Sequence, residues 1–295
     1  MKYVVFEAGS RAGFYAEMFF RAWKKQHPER NVKMVLCDTD PDYATLPCAE
    51  GFVRKIDKGV YSFLEHKNTR VFPADELTRQ KNAFVRKATA LDPLSSVDSW
   101  FYEKSTVNGL LEGLTESKCF IKVPNTFLLN RVCIKPNTLS AGSRNISFSE
   151  NVCVSELVDI TNEYVVDVLE KDNNFSIFAR EVKLRSGYDK MVKFLPDTHK
   201  LVAAIRQFIE TVNLEVDCTL FRGIFHLQIA EDCNGQYFFI EASKRISGSS
   251  IVNIFRGFNP FDILEDTAPV IYDAPFVCDK WYRYEDLVSV LAKIV

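Results

Sequence analysis

Hydrophobic and polar positions at the start of the chain switch between two periods. Tyr3-Val4-Val5-Phe6 is a short apolar run of the strand type, Phe14 to Gln26 repeats its apolar residues at helical spacing, and Val32-Lys33-Met34-Val35-Leu36 returns to a strand. Between the first strand and the helix stands Gly9-Ser10-Arg11-Ala12-Gly13. A glycine-bearing turn at a helix N-terminus lets backbone N–H groups approach a phosphate. The dinucleotide pattern is incomplete, because a third glycine is missing and Asp38 and Asp40 follow a second strand of a kind shared by many α/β domains. The stretch reads as a doubly wound lobe with a tight first turn. A nicotinamide oxidoreductase built on that turn leaves everything after Pro93 without a purpose.

From Asp57 to Ser99 the periodicity fades into charged residues, and Asp92-Pro93 punctuates a boundary. Trp100 to Leu114 then reads as a helix, Cys119 to Phe127 as a connecting segment, and Arg131 to Pro136 as a strand. Asn137 to Asn145 is a loop of small and polar residues that contains Ser140-Ala141-Gly142-Ser143-Arg144. Three strand-like runs follow, Val152 to Val158, Tyr164 to Leu169 and Phe175 to Arg180, the last two joined through the turn Asp172-Asn173-Asn174. Thr198 to Val212 carries Leu201, Ala204, Ile205, Phe208 and Ile209 at helical spacing. Gly223 to Ile229 and Gln236 to Ile240 flank Asp232-Cys233-Asn234-Gly235, a second hairpin with an Asn-Gly turn. The pattern predicts an antiparallel sheet with a helix packed on it, joined to an α/β lobe.

Composition narrows the classes. A chain of 295 residues, 47% hydrophobic and 26% charged, is long enough for two or three lobes. A net charge of -2 argues against a protein that coats nucleic acid or an anionic membrane. No apolar run reaches the length of a membrane span, and the N-terminus turns polar too early for a secretory segment. The eight cysteines include no CxxC pair, so neither a zinc knuckle nor a thioredoxin-type motif is present. The expectation is a reduced, cytoplasmic protein with no nucleic-acid or membrane partner.

The chemistry concentrates in Ile240 to Ser250, IEASKRISGSS, which follows an apolar strand with a carboxylate, hydroxyls and two adjacent cations. On the hairpin, Gln228 and Glu241 stand at comparable depth on facing strands, and Ser243 follows at strand period. Amide, carboxylate and hydroxyl oxygens suit hard Mg²⁺, which binds through one or two carboxylates, waters and substrate phosphates. Arg245 extends the period and sets a cation beside any phosphate held there. His27, His66 and His199 sit in polar segments, and His226, inside an apolar strand, reads as a satisfied core histidine.

Taken in order, Ile134-Lys135-Pro136 with Gly142-Ser143-Arg144, Ser155-Glu156-Leu157 with Glu163 to Asp167, Gly223 to Gln228, and Glu241 to Arg245 with Ser247-Gly248-Ser249-Ser250 resemble the ATP-grasp superfamily. The resemblance is strongest to short ligases like one half of the carbamoyl-phosphate synthetase large subunit, and it spans roughly Lys104 to Gly257. It implies an α/β fold with α+β lobes: a doubly wound pre-ATP-grasp domain over residues 1–95, a small lobe over 96–155 and a large lobe with a C-terminal segment over 156–295. The two lobes would clasp ATP. Lys104 and Lys135 would contact its phosphates, with Ser140, Gly142 and Ser143 closing over them. Glu156 and Leu157 would recognise adenine, and Glu163 the ribose. Gln228, Glu241 and Ser243 would hold Mg²⁺, while Arg245, with Lys135, would stabilise the transferred phosphoryl group. Arg144, Arg180 and Arg185, with Lys183, are the implied anchors of an anionic substrate.

In one position the chain departs from the family, whose usual Glu-x-Asn-x-Arg is here Glu241-Ala242-Ser243-Lys244-Arg245. Serine is a shorter and weaker ligand than asparagine. The implied activity is an ADP-forming ligase that activates a small-molecule carboxylate as an acyl phosphate and joins it to an amine. The alternative is a catalytically weakened ATP-binding sensor or scaffold. The sequence does not set the oligomeric state, and a homodimer is compatible with it.

Overall fold

The computed structural model describes residues 1–40, 54–55, 64, 66–74, 104–115, 121–124, 132–136, 152–185, 188–215, 221–272 and 276–294. Its first sheet is parallel, in the order β3-β2-β1-β4, from strands β1 (Lys2–Val5), β2 (Lys33–Asp38), β3 (Arg54–Lys55) and β4 (Thr69–Val71). Helix α1 (Arg11–Gln26) follows β1. Ser10 caps it by accepting the Gly13 N–H at 3.0 Å, and Lys24 and Lys25 complement its C-terminal end. Gly13 is a packing requirement: a Cβ there would lie 2.6 Å from the Glu7 carbonyl and 2.8 Å from the Ala8 backbone. The Asp38 carboxylate accepts the Gly9 N–H at 2.7 Å and the Asp40 N–H at 3.0 Å. Its oxygens thus brace the first turn from within.

The main sheet has the order β13-β10-β9-β8-β11-β12-β5. Its strands are β5 (Ile121–Lys122), β8 (Ile160–Lys171), β9 (Asn174–Arg185), β10 (Tyr188–Phe194), β11 (Ile224–Asp232), β12 (Tyr237–Ser243) and β13 (Trp281–Arg283). All pairs are antiparallel except β12 with β5. Both predicted hairpins form. In the first, Asp172 (φ 53°) and Asn173 (φ 65°) take the left-handed conformations of a two-residue turn that matches strand twist. In the second, Gly235 has φ 76°, and Asp232 Oδ1 accepts from the N–H groups of Asn234 and Gln236, each at 2.9 Å. A separate antiparallel pair joins β6 (Val132–Pro136) to β7 (Val152–Glu156). β5, in the segment expected as the small lobe, pairs with β12 of the segment expected as the large lobe.

Helix α3 (Lys200–Glu215) covers one face of the main sheet, with Leu201, Ile205, Phe208 and Val212 packed on Val166, Val168, Leu227 and Ile229. Helix α2 (Lys104–Thr115) adds Val107 and Leu111 to the same core. A second core joins α1 to the 3₁₀ helix Ser250–Arg256, helix α4 (Pro260–Leu264) and helix α5 (Tyr284–Ile294). Its centre is aromatic: Phe261 stacks on Phe72 at 5.0 Å and meets Tyr3 edge-on at 5.3 Å. The N-terminal sheet and the C-terminal helices therefore share one interior. Among the described residues no helix is long and apolar enough to cross a membrane.

Candidate functional site

Strand register decides what shares a face. Gln228 pairs with Glu241, and His226 with Ser243, so all four point to the same side of the main sheet. On the neighbouring strands that side carries Glu163, Val165 and Asp167 of β8 and Phe178 and Arg180 of β9. A bulge between Gln228 and Ile229 absorbs Ile240 and brings Glu241 directly opposite Gln228. The alternate residues Leu227, Ile229, Val166 and Ala179 face α3. The α3 face is mostly apolar, and the other mixes this polar row with Leu169, Ile224 and Phe178, which pack into the second core.

Gln228 and Glu241 are half-buried, whereas Ser243 is only 1% exposed and its hydroxyl is a buried oxygen with no hydrogen-bond partner. The expected three-residue ligand set is thus reduced at the surface to an amide and a carboxylate. Among the described residues no group of three or more His, Cys, Asp or Glu could hold a metal. Gln228 and Glu241 still fit Mg²⁺, because that ion takes oxygen ligands, keeps waters and completes its shell with phosphate oxygens.

Beyond Ser243 the chain is fastened from several sides. His226 Nδ1 lies 3.1 Å from the Arg245 carbonyl, which only accepts, so the ring carries its proton on Nδ1. The Ile246 N–H donates to the Pro73 carbonyl at 3.0 Å. Arg180, with no exposed surface, donates to Asp167 Oδ2 through Nη1 and to Ser247 Oγ (2.7 Å) and Ser249 Oγ (2.6 Å) through Nη2. Asp167 in turn accepts from the Ser247 N–H at 3.3 Å and from Asn253 Nδ2 at 2.9 Å. Both members of the ion pair are buried, and their hydrogen bonds engage both Nη groups of Arg180 while its Nε is left without a partner.

These contacts revise two expectations. Arg180 is not presented to a ligand, since its Nη groups are engaged by Asp167, Ser247 and Ser249. Lys183 falls on the opposite face of β9, where its Nζ lies 4.5 Å from the centre of the Trp281 ring. Asp167 and Asn253 were missed as organising residues. The visible signal was a carboxylate at an inward position of the run Tyr164 to Leu169.

The remaining candidates are spread over neighbouring elements. Lys135 is in β6 opposite Cys153, and Glu156 ends β7 opposite Val132. Leu157 follows it, exposed, in the link to β8. Lys104 is the first residue of α2, and Arg185 the last of β9. Ser140, Gly142, Ser143 and Arg144 lie outside the described residues. Arg245 is half-buried, with Nη1 donating to the Ile246 carbonyl at 3.0 Å.

On the α3 side, Glu231 accepts from Tyr164 (2.5 Å), Asn162 (3.0 Å) and Lys200 (3.1 Å). Burial pushes its carboxyl up, but these donors outweigh it and hold the group below the usual range. Burial and that carboxylate push the Tyr164 hydroxyl up. This cluster ties the start of α3 to the sheet.

No family model and no curated protein sequence matches the chain. Solved structures do. N5-carboxyaminoimidazole synthetase from Staphylococcus aureus, complexed with ADP, superposes with a TM-score of 0.64 at 14% identity, covering 92% of this chain and 78% of that one. A protein assigned to the ATP-grasp superfamily from Archaeoglobus fulgidus gives 0.62 at 13% identity, over 95% and 96%. An L-amino acid ligase from Bacillus licheniformis gives 0.60 at 11% identity, over 95% and 78%. Likeness at such low identity is likeness of fold.

Proposed function

We propose that the ATP-grasp fold of this chain serves an ADP-forming ligase, which activates a small-molecule carboxylate as an acyl phosphate and joins it to an amine. The observation that carries this reading is the direct pairing of Gln228 with Glu241 on the polar face, with Arg245 just beyond it. Structural neighbours named as a synthetase complexed with ADP and as an L-amino acid ligase support it.

In this reading Gln228 and Glu241 hold Mg²⁺, which supplies Lewis-acid neutralisation of phosphate charge. Lys104 and Lys135 fix the α- and β-phosphates, and Ser140, Gly142 and Ser143 close over them to keep water out. Glu156 and Leu157 line the adenine, and Glu163 accepts from the ribose hydroxyls. A carboxylate oxygen of the substrate attacks the γ-phosphorus as the bond to the ADP oxygen breaks. Arg245 neutralises the charge that moves with the phosphoryl group. The amine then displaces phosphate from the acyl carbon, giving the amide and inorganic phosphate. Arg144 remains the proposed anchor of an anionic substrate, Arg185 standing at strand period from Lys183 on β9, and the division at residues 95 and 155 is proposed on the same family pattern.

A second reading, a nucleotide-binding sensor or scaffold, is favoured by Ser243, which stands where the family pattern has asparagine and is buried. ADP release with Mg·ATP and a panel of amino acids and other small carboxylates separates the two. The ligase reading expects release stimulated by one carboxylate, abolished in Glu241→Ala and raised in Ser243→Asn. Nucleotide binding with no stimulated release in either the parent protein or Ser243→Asn identifies the scaffold.

A further inference from the structure

We propose that the buried Asp167–Arg180 pair is a positioning device for Arg245, acting through Ser247, Ser249 and Asn253 rather than touching substrate. The proposal rests on the ligase reading above and assigns that site a part of its machinery.

Three features carry it. The first is geometry: both hydrogens of Arg180 Nη2 are matched to acceptors on one segment, Ser247 Oγ at 2.7 Å and Ser249 Oγ at 2.6 Å. Asp167 holds the backbone of that segment through the Ser247 N–H and the following 3₁₀ helix through Asn253. The second is a further pair of ties, with His226 on the Arg245 carbonyl and Pro73 on the Ile246 N–H. The backbone is therefore fixed at Arg245 and over the two residues that follow it. The third is energetic: a buried ion pair is a poor source of net stability compared with apolar residues of the same volume, but its hydrogen bonds admit few geometries. A pair that joins strands β8 and β9 to a loop some 67 residues later specifies where that loop sits.

A phosphoryl-neutralising arginine gains from such fixing because its charge then needs no reorganisation when the γ-phosphate arrives. Its contribution is read in binding, as the preference for a triphosphate over a diphosphate, without any carboxylate or amine. Calorimetry with Mg²⁺ and either ADP or a non-hydrolysable ATP analogue (the β,γ-imido compound) tests this on Ser249→Ala and Arg180→Lys. The first removes one hydroxyl, and the second keeps the buried charge without the fork.

Each variant is expected to lower the preference for the triphosphate about three- to tenfold while ADP affinity stays within about twofold. In an Arg245→Ala background Ser249→Ala is expected to change the preference no further, because the network acts through Arg245. Equal losses for both nucleotides, an unchanged preference, or additive effects in the Arg245→Ala background would assign the pair a merely structural role and overturn the proposal. Failure of the parent protein to bind either nucleotide removes the ligase reading and the proposal with it. Thermal unfolding of each variant shows whether it is folded, and Ser249→Ala, the mildest change, stands in if Arg180→Lys is not.

Discussion

The two faces of the main sheet are built by the same strands and differ in what their central positions carry. On the α3 side, Phe208 packs against Phe221 and Phe239 at 5.7 and 5.8 Å, among Val166, Leu227 and Ile229. On the other side, alternate residues of β8, β9, β11 and β12 present Asp167, Arg180, His226, Gln228 and Glu241. The apolar face gains from area removed from water and tolerates shape-preserving exchange. The polar face contributes direction: each hydrogen bond fixes an angle as well as a distance, and an unmatched partner is costly. The candidate chemistry thus stands one residue of strand period away from the α3 core, on a face whose remaining positions pack into the second core.

Substitutions that break this comparison are expected in a definite order. Phe208→Ala leaves a cavity in the dry face and is expected to cost about 3–5 kcal/mol in urea unfolding. Arg180→Ala is expected to cost a similar amount, about 3–5 kcal/mol, for the opposite reason, since it strands the Asp167 carboxylate in the interior. The two are told apart by rescue. Adding Asp167→Ala to Arg180→Ala should recover much of the loss, whereas no polar deletion recovers Phe208→Ala. Glu241→Ala is expected to lower turnover about 10²- to 10³-fold, with the urea midpoint near that of the parent protein, because the carboxylate is half-buried.

The smallest effect concerns Asp262, in the shared aromatic core. Burial pushes its carboxyl up to about 6, against 3.8 for an ordinary aspartate, with Thr267 donating to Oδ1 at 2.8 Å. Its folded form thus holds a proton that the unfolded chain has released. Stability is present in full below the unfolded value and is lost as the pH rises through the interval up to about 6. Asp262→Asn keeps the acceptor for Thr267 without the charge. Relative to the parent, the variant is expected to gain stability between about pH 4 and about pH 7 and to show a constant difference above that. A difference that does not change with pH would remove Asp262 from the account.

Much of this contrast was legible in the chain. The alternation His226-Leu227-Gln228-Ile229 separates the faces of β11, and the turn residues at Asp172-Asn173 and Asn234-Gly235 fix both hairpins. The second hairpin sets Gln228 and Glu241 at comparable depth, but their direct pairing needs the bulge that absorbs Ile240, which the pattern of the chain does not show. Arg180 was misread because alternation gives a face but not a depth. The groups that bury it, Ser247 and Ser249, arrive from a loop that no local pattern connects to β9. Lys183 was misread because the face alternates along the strand, placing it with Trp281. The 3₁₀ helix Ser250–Arg256 is buried over most of its length, so it has no hydrophobic period to read. The strands β10 and β13 depend on pairing with each other and with β9 rather than on their own composition.

The central claim is that the polar face of the main sheet is a magnesium-dependent nucleotide site centred on Glu241. Calorimetric titration with ATP, with and without Mg²⁺, on the parent protein and on Glu241→Ala tests it most directly. The account predicts binding that weakens about tenfold or more when either Mg²⁺ or the carboxylate is removed, and no further when both are. Binding indifferent to both, or no binding of ATP at all, would contradict it.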